Sequence, residues 1–522
     1  MAEIVVLGAG MIGLSTALLL ADDGHRVTVL ERDPAPPPSP DAAWDSWDRT
    51  GVHQFHLLHI MLSRWHLEMR RELPQVVDDL IAAGAHRFNM LLSLPEAWRG
   101  PARPGDDRFD MVTARRPMLE AVLARSADSH PNITVERGVG VTGLIAAEKP
   151  TSVPHVAGVI SQNRSWRSDL VVDAAGRRSA MPAMVEAIGA QRPLETRDDS
   201  GFAYYSRHFR AATSSDVTDT HVTDTDVTDT VAGGGRPPIT ATLLSHFDSV
   251  STLTLPCDNG TWGVGIICAA GDKELRALRD PDSWHRVMDL FPEQAPWTRG
   301  IPITGIQAFS GIEDRHRSYL PDGVPVVTGM VPVGDAWSCS NPSLGRGSTI
   351  GLLQAITLRN VLRGRSFDRR DAADLTTDFD AAIDREVLPY VEASMTFTRH
   401  RLAEIESDIV GTPYRTADIG WMRSNALYAA AHRDPDVLRA YCDVSHLVRL
   451  PADALAAPGL AQTVGALGGG IPRYFLPGPS RTELLAALRR PTATRPPRRQ
   501  PTPSRPLVPS PALRNAAVRP DR

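Results

Sequence analysis

Apolar and polar positions alternate in blocks from the first residues. Glu3 to Leu7 is a short apolar run bounded by glycine, as a buried parallel strand would be, and Ile12 to Asp22 carries Leu and Ala at helical spacing. A second strand is predicted at Arg26 to Glu31, giving a βαβ unit and hence a parallel sheet at the start of the chain. Pro34 to Pro40 breaks regular structure. Helical spacing returns over Met61 to Ala85 and over Arg116 to Ala127, and strands are predicted at Ile133 to Glu136, Val156 to Ile160 and Leu170 to Val172. From Gly201 to Ile267 the pattern changes to short strands, such as Ser251 to Leu255 and Trp262 to Ile267, which predicts a second, antiparallel sheet. Val324 to Val333 reads as a last strand region and Ser348 to Leu362 as the helix leaving it. Ala372 to Leu488 reads as largely helical.

Two stretches fall outside this periodicity. Three tandem pentads, Asp216 to Thr230 (DVTDT HVTDT DVTDT), lack the glycine and terminal glutamate of a calcium loop and read as a solvated low-complexity insertion. Beyond Arg490 proline alternates with arginine and there is little to bury, which predicts a disordered basic tail.

Composition narrows the class without naming it. The chain has 522 residues, 42% hydrophobic and 22% charged, which is globular usage spread over several domain-sized units. A net charge of -5 gives no general attraction to phosphate backbones, so nucleic acid is not an expected partner. Cys257, Cys268, Cys339 and Cys442 are too scattered for a disulfide framework and read as free thiols. No basic leader precedes the opening apolar run, and no membrane span is expected. The expected location is the cytoplasm.

The chemistry begins at Gly8, Gly10 and Gly13, a GxGxxG between the first strand and helix. The first glycine permits the turn, the second lets a pyrophosphate approach the backbone, and the third lets helix pack on strand, while helix amides meet the dianion. Glu31, with Arg32 beside it, ends the second strand where ribose hydroxyls would lie, and an acid there disfavours a 2'-phosphate. FAD or NAD fits this site. The triplet His53, His56 and His59 could face together as zinc ligands, but nothing nearby completes a set, so no metal is expected. No GxSxG nucleophile elbow is present.

Two further motifs follow strands: Asp173 with Gly176, Arg177 and Ser179, and Gly334 with Asp335, the latter leading to Asn341, Pro342, Gly345, Arg346 and Gly347 at a helix start. In this order the three motifs resemble the FAD-dependent monooxygenases of the para-hydroxybenzoate hydroxylase-like superfamily. The segment Gly51 to Arg64, with Gln54, His59 and Arg64 matching and His56 and Leu57 departing, is similar to the actinobacterial branch containing polyether epoxidases. The resemblance covers roughly residues 1 to 480. It implies that Arg116 contacts the flavin, that Asp335 accepts hydrogen bonds from the ribityl chain, and that Gly345 and Gly347 let the backbone lie against the ring. Gln54, His59 and, in the segment Tyr204 to Arg207, Tyr205 are implied at the flavin or substrate face.

The organisation expected is a Rossmann-like α/β FAD-binding domain (1–60, 110–185 and 315–365), an inserted α+β substrate domain on a mostly antiparallel sheet (61–109 and 186–314), a helical region (366–489) and the tail (490–522). The resemblance implies a hydroxylase or epoxidase: FAD, reduced by NADH or NADPH or through a partner flavin reductase, forms a C4a-hydroperoxide with O2 and passes one oxygen atom to an apolar, secondary-metabolite-like small molecule. No catalytic side chain is assigned, because the reactive group belongs to the cofactor. An FAD-dependent dehydrogenase or double-bond reductase on the same scaffold is the alternative. A flavin-binding interaction protein that uses its Pro/Arg tail is another. A halogenase is disfavoured, since Trp297 to Pro302 only partly echoes the WxWxIP stretch.

Overall fold

The structure is a computed structural model that describes residues 1–147, 153–162, 164–213, 235–365, 367, 369–469, 474 and 476–489. The DVTDT pentads and the tail from 490 lie outside the described residues.

The opening pattern folds as its periodicity requires. Strand β1 (Glu3–Leu7), helix α1 (Met11–Asp22) and strand β2 (Arg26–Glu31) form a βαβ unit, with β1 and β2 parallel in register from Glu3 on Arg26 to Leu7 on Leu30. The five-stranded sheet runs Met330–Pro332, Leu170–Asp173, β1, β2, Ile133–Arg137, all parallel. Both faces are buried, which explains the continuous apolar runs. Ile4 and Val6 point into a core shared with α1, helix Arg116–Ser129 and helix Gly347–Leu362. Val5 and Leu7 point to the other side, against helix Met181–Ala187 and a small antiparallel sheet, Gly143–Ala146, Val156–Ser161 and Arg164–Arg167. Val156–Ser161 therefore covers the first sheet instead of extending it. The last strand is shorter than the apolar pattern predicts, because Gly329 turns just before Met330 with φ of 75° and no room for a side chain.

The second sheet is six-stranded and antiparallel, ordered Leu244–His246, Val250–Pro256, Thr261–Ala269, Phe202–Arg210, Ile301–Pro302, with Gln307–Ser310 also pairing on Phe202–Arg210. Its core takes in Phe209, Trp262, Trp284 and Phe291. One boundary differs from the expectation. Met61, Trp65, Met69, Val77 and Leu80 pack in the first core with α1, so the helical segment after residue 60 is bound to the cofactor side of the molecule. Pro74 splits that segment into Ser63–Glu72 and Pro74–Ala82. The C-terminal region is helical, and Leu388–Ile409, Ile419–Ala430 and Pro435–Ser445 lie over the second sheet. Among the described residues no helix is long and apolar enough to cross a membrane.

Candidate cofactor and substrate site

The glycine turn is built for close approach. Gly8 has φ of 99°, and a Cβ there would stand 2.8 Å from the Ala174 carbonyl oxygen. A Cβ on Gly13 would come within 1.9 Å of the Gly8 carbonyl, so this glycine packs helix on strand and does not itself face the cleft. Gly10 is the N-cap of α1 with no side chain capping the first amides, and Gly10, Met11 and Ile12 open onto a long cleft of about 1190 Å³. Open amides at a helix start suit a diphosphate.

The cleft runs from Glu31 and Arg32 at one end, past Arg177, Arg178 and Asp335, to Pro342, Gly345 and Gly347 at the other. Gly8, Gly334, Gln54, His59 and Arg116 also line it. Gly345 has φ of 65° and its missing side chain leaves the space that Ile60 Cγ2 would otherwise contest at 2.5 Å. The buried Arg177 Nε and Ser338 Oγ, both on the cleft wall, have no hydrogen-bond partner, and Arg177 Nε stands 3.7 Å from Asp335 Oδ2. Uncapped amides, several arginines and unsatisfied donors along one elongated groove fit an adenine dinucleotide with its diphosphate on the glycine turn.

Two expected contacts, Tyr205 and Asp173, lie elsewhere, and a third, Glu31, is already engaged. Tyr205 points into the second core, where its carbonyl accepts from Trp284 Nε1 at 3.0 Å. Tyr204 and Ser206 line the cleft in its place, because side chains alternate along the strand. Asp173 is fully buried and does not line the cleft. Its carboxylate accepts from Ala175 N at 3.1 Å and Ser179 Oγ at 2.6 Å, which fixes the turn that presents Arg177. Glu31 does line the cleft, but its carboxylate already accepts from Ala9 N at 2.7 Å, Asp33 N at 3.0 Å and Arg49 Nη2 at 2.6 Å.

Arg49 is the residue that the sequence reading missed. It bonds Glu31, Asp33 at 3.1 Å, Glu120 at 2.6 Å and the Ala9 carbonyl at 3.1 Å, all within the buried floor of the cleft. Burial works against its charge, yet Glu120 and Glu31 outweigh burial and raise its pKa. Glu120 also accepts from Arg116 at 2.6 Å, and Arg116 Nη1 stands 3.5 Å from His59 Nε2. Burial first, then Arg116, pushes His59 down to about 4, so it is a neutral imidazole whose Nδ1 lies 2.9 Å from the Leu57 carbonyl. The sequence signal for this chain of charges was only the Arg116/Glu120 spacing. At the other end Tyr204 donates to Asn341 Oδ1, Ser343 N donates to the same oxygen at 3.0 Å, and Asn341 N donates to Asp314 at 2.6 Å. Burial pushes Asp314 up to about 6.

A second cavity, of about 1240 Å³, lies between the antiparallel sheet and the C-terminal helices. Its walls are mostly apolar, with Leu243, Leu244, Phe397, Trp421 and Leu427 among them. Ile60, Leu253, Leu255 and Ser343 line both cavities, so the chamber adjoins the Gly345 end of the cleft.

Residues 3–116 match the family described as "FAD dependent oxidoreductase". Among curated proteins the chain is similar to Protein Rv3254 of Mycobacterium tuberculosis, with 28% identity over 406 residues, covering 74% of this chain and 77% of the relative. Among solved structures it resembles the flavin-dependent brominase Bmp2, with a TM-score of 0.53, 14% identity, and coverage of 88% of this chain and 97% of that one. It also resembles a variant of 2-methyl-3-hydroxypyridine-5-carboxylic acid oxygenase, with a TM-score of 0.51, 15% identity, and coverage of 77% of this chain and 93% of that one. These two structures share the fold.

Proposed function

We propose that the protein is an FAD-dependent monooxygenase, a hydroxylase or epoxidase, that places one oxygen atom from O2 into a large apolar organic molecule. The observation that carries this reading is the adjacency of the apolar chamber to the Gly345 end of the cleft, through Ile60, Leu253, Leu255 and Ser343. The names of the brominase and the oxygenase that share the fold support it.

FAD bound in the cleft would supply electron storage and oxygen activation. The α1 amides, Arg32, Arg177 and Asp335 would hold its polar chain, and Gly345 and Gly347 its ring. The chain's own part is then position and dryness. Helix Gly347–Leu362 points its first amides at the ring end, which favours negative charge there. Tyr204, which burial keeps protonated, donates to Asn341 and fixes the Asn341–Gly345 loop. The C-terminal helices wall the chamber on the side away from the antiparallel sheet, and a bound apolar molecule would displace water from it. The reductant is NADH or NADPH, acting directly or through a flavin reductase. The test is turnover under isotopically labelled O2 with extracts of apolar metabolites. Label in product, matched to O2 consumed, supports the reading; product formed by hydride transfer with O2 unused moves the protein to the dehydrogenase class.

A further inference from the structure

Arg346 sits between the two glycines that line the ring end of the cleft, and its own side chain lines the apolar chamber. Among the described residues it has no ion pair. Its one hydrogen bond runs from Nη1 to Ser394 Oγ at 3.0 Å, and its Nε is buried without a partner. The buried arginines Arg49, Arg439 and Arg401 are matched to acids: Arg49 to Glu31, Asp33 and Glu120, Arg439 to Asp106 at 2.7 Å, and Arg401 to Glu404 at 3.4 Å. Glu392 lines the same chamber and forms no ion pair with Arg346. Burial lowers the Arg346 pKa to about 10, still well above neutrality, so the guanidinium stays charged. Tyr441 lines the chamber as well, interacts electrostatically with Arg346, and makes no hydrogen bond among the described residues.

A half-buried cation with a buried, unsatisfied Nε and no anion is costly, and its missing partner on the wall of a mostly apolar chamber is a demand on the ligand. We propose that the substrate carries a carboxylate, and that Arg346 with Tyr441 bind it at the cofactor end of the chamber while the apolar body fills the space between the sheet and the C-terminal helices. The proposal rests on the reading of the chamber as the substrate site. It makes Arg346 a specificity-determining residue that selects acidic apolar molecules over neutral ones, through charge-assisted hydrogen bonds from a fork of donors.

The test uses the full chain, incubated with FAD and freed of unbound flavin, and two probes, dodecanoate and methyl dodecanoate, above the titration range of the acid. Binding is followed by Trp fluorescence, since Trp421 is on the chamber wall. Dodecanoate binds at least about tenfold more tightly than the ester, in keeping with hydrogen bonds to a charged group. Arg346→Met brings the two within about twofold and leaves ester affinity unchanged, whereas Arg346→Lys keeps part of the preference. Equal affinity for acid and ester, no saturable binding of either, or a preference that survives Arg346→Met overturns the proposal. Flavin absorbance in the same samples separates the two readings: a yellow protein that fails to discriminate loses only the anchor, and a colourless one that discriminates loses only the cofactor.

Discussion

Arg49→Leu removes the cation shared by three carboxylates, Glu31, Asp33 and Glu120, beneath the glycine turn. Arg49 is 6% exposed, Glu31 6% and Glu120 fully buried, so solvent cannot replace the lost partner. Glu120 keeps Arg116, but Glu31 keeps only backbone donors. Breaking a buried pair by removing one partner costs about 3–5 kcal/mol. Spread over the unfolding entropy of a 522-residue chain, at about 2.1 cal/mol/K per residue, this is a fall in Tm of roughly 3–5 °C. Differential scanning calorimetry on the FAD-free and FAD-loaded protein reads it, and the loss persists without FAD because the network is internal. Arg49→Leu combined with Glu31→Gln recovers part of the loss, since the second change neutralises the carboxylate left with backbone donors alone. A Tm within about 1 °C of the parent, or strictly additive losses in the double variant, refutes the reasoning.

Gly13→Ala sets a Cβ 1.9 Å from the Gly8 carbonyl oxygen, forcing the turn open; FAD affinity measured by titration falls about tenfold or more, and unchanged affinity would deny the turn its role. Tyr204→Phe removes the donor to Asn341 and weakens FAD binding by about 1 kcal/mol, whereas Tyr205→Phe changes it by less than about 0.5 kcal/mol; equal effects would contradict the strand's facing. For pH, His59 and His446 both fall from 6.5 to about 4 through burial, so the fold favours their neutral forms. Their contribution is full above 6.5 and is lost as pH falls towards 4, so Tm declines across that window. Asp314 works in the opposite sense, because its pKa is raised from 3.8 to about 6 and its contribution is lost as pH rises through that value. Asp314→Asn therefore raises Tm near neutrality and steepens the acid decline, and a variant with the parent's profile would argue against the shift.

The sequence makes the cofactor half legible because its signals are local. An apolar run, three glycines and an acid at the end of a second strand lie within the first 31 residues, and the structure keeps those boundaries to within one residue. Features that depend on assembly leave no such trace. Arg49 meets Glu120 across 71 positions, with no periodic signal joining them. Tyr204 and Tyr205 are equivalent in composition, and only the placement of their strand between the cleft and the second core decides which faces the cleft. The helices after Ala372 are legible from their periodicity, but their packing over the second sheet, which creates the chamber and gives Arg346 an apolar setting, is a tertiary event. Asp173 follows a strand as a ligand-binding acid would, yet its carboxylate turns back to Ala175 and Ser179, a choice set by the local backbone.

The central claim is that the cleft between the glycine turn and the Asn341–Gly347 loop holds FAD beside a substrate chamber. The visible spectrum of the purified protein, before and after adding FAD and then NADH or NADPH with a flavin reductase, tests it most directly. The account predicts a yellow protein with equimolar flavin whose colour bleaches on reduction and returns in air; a colourless protein that takes up no FAD would contradict it.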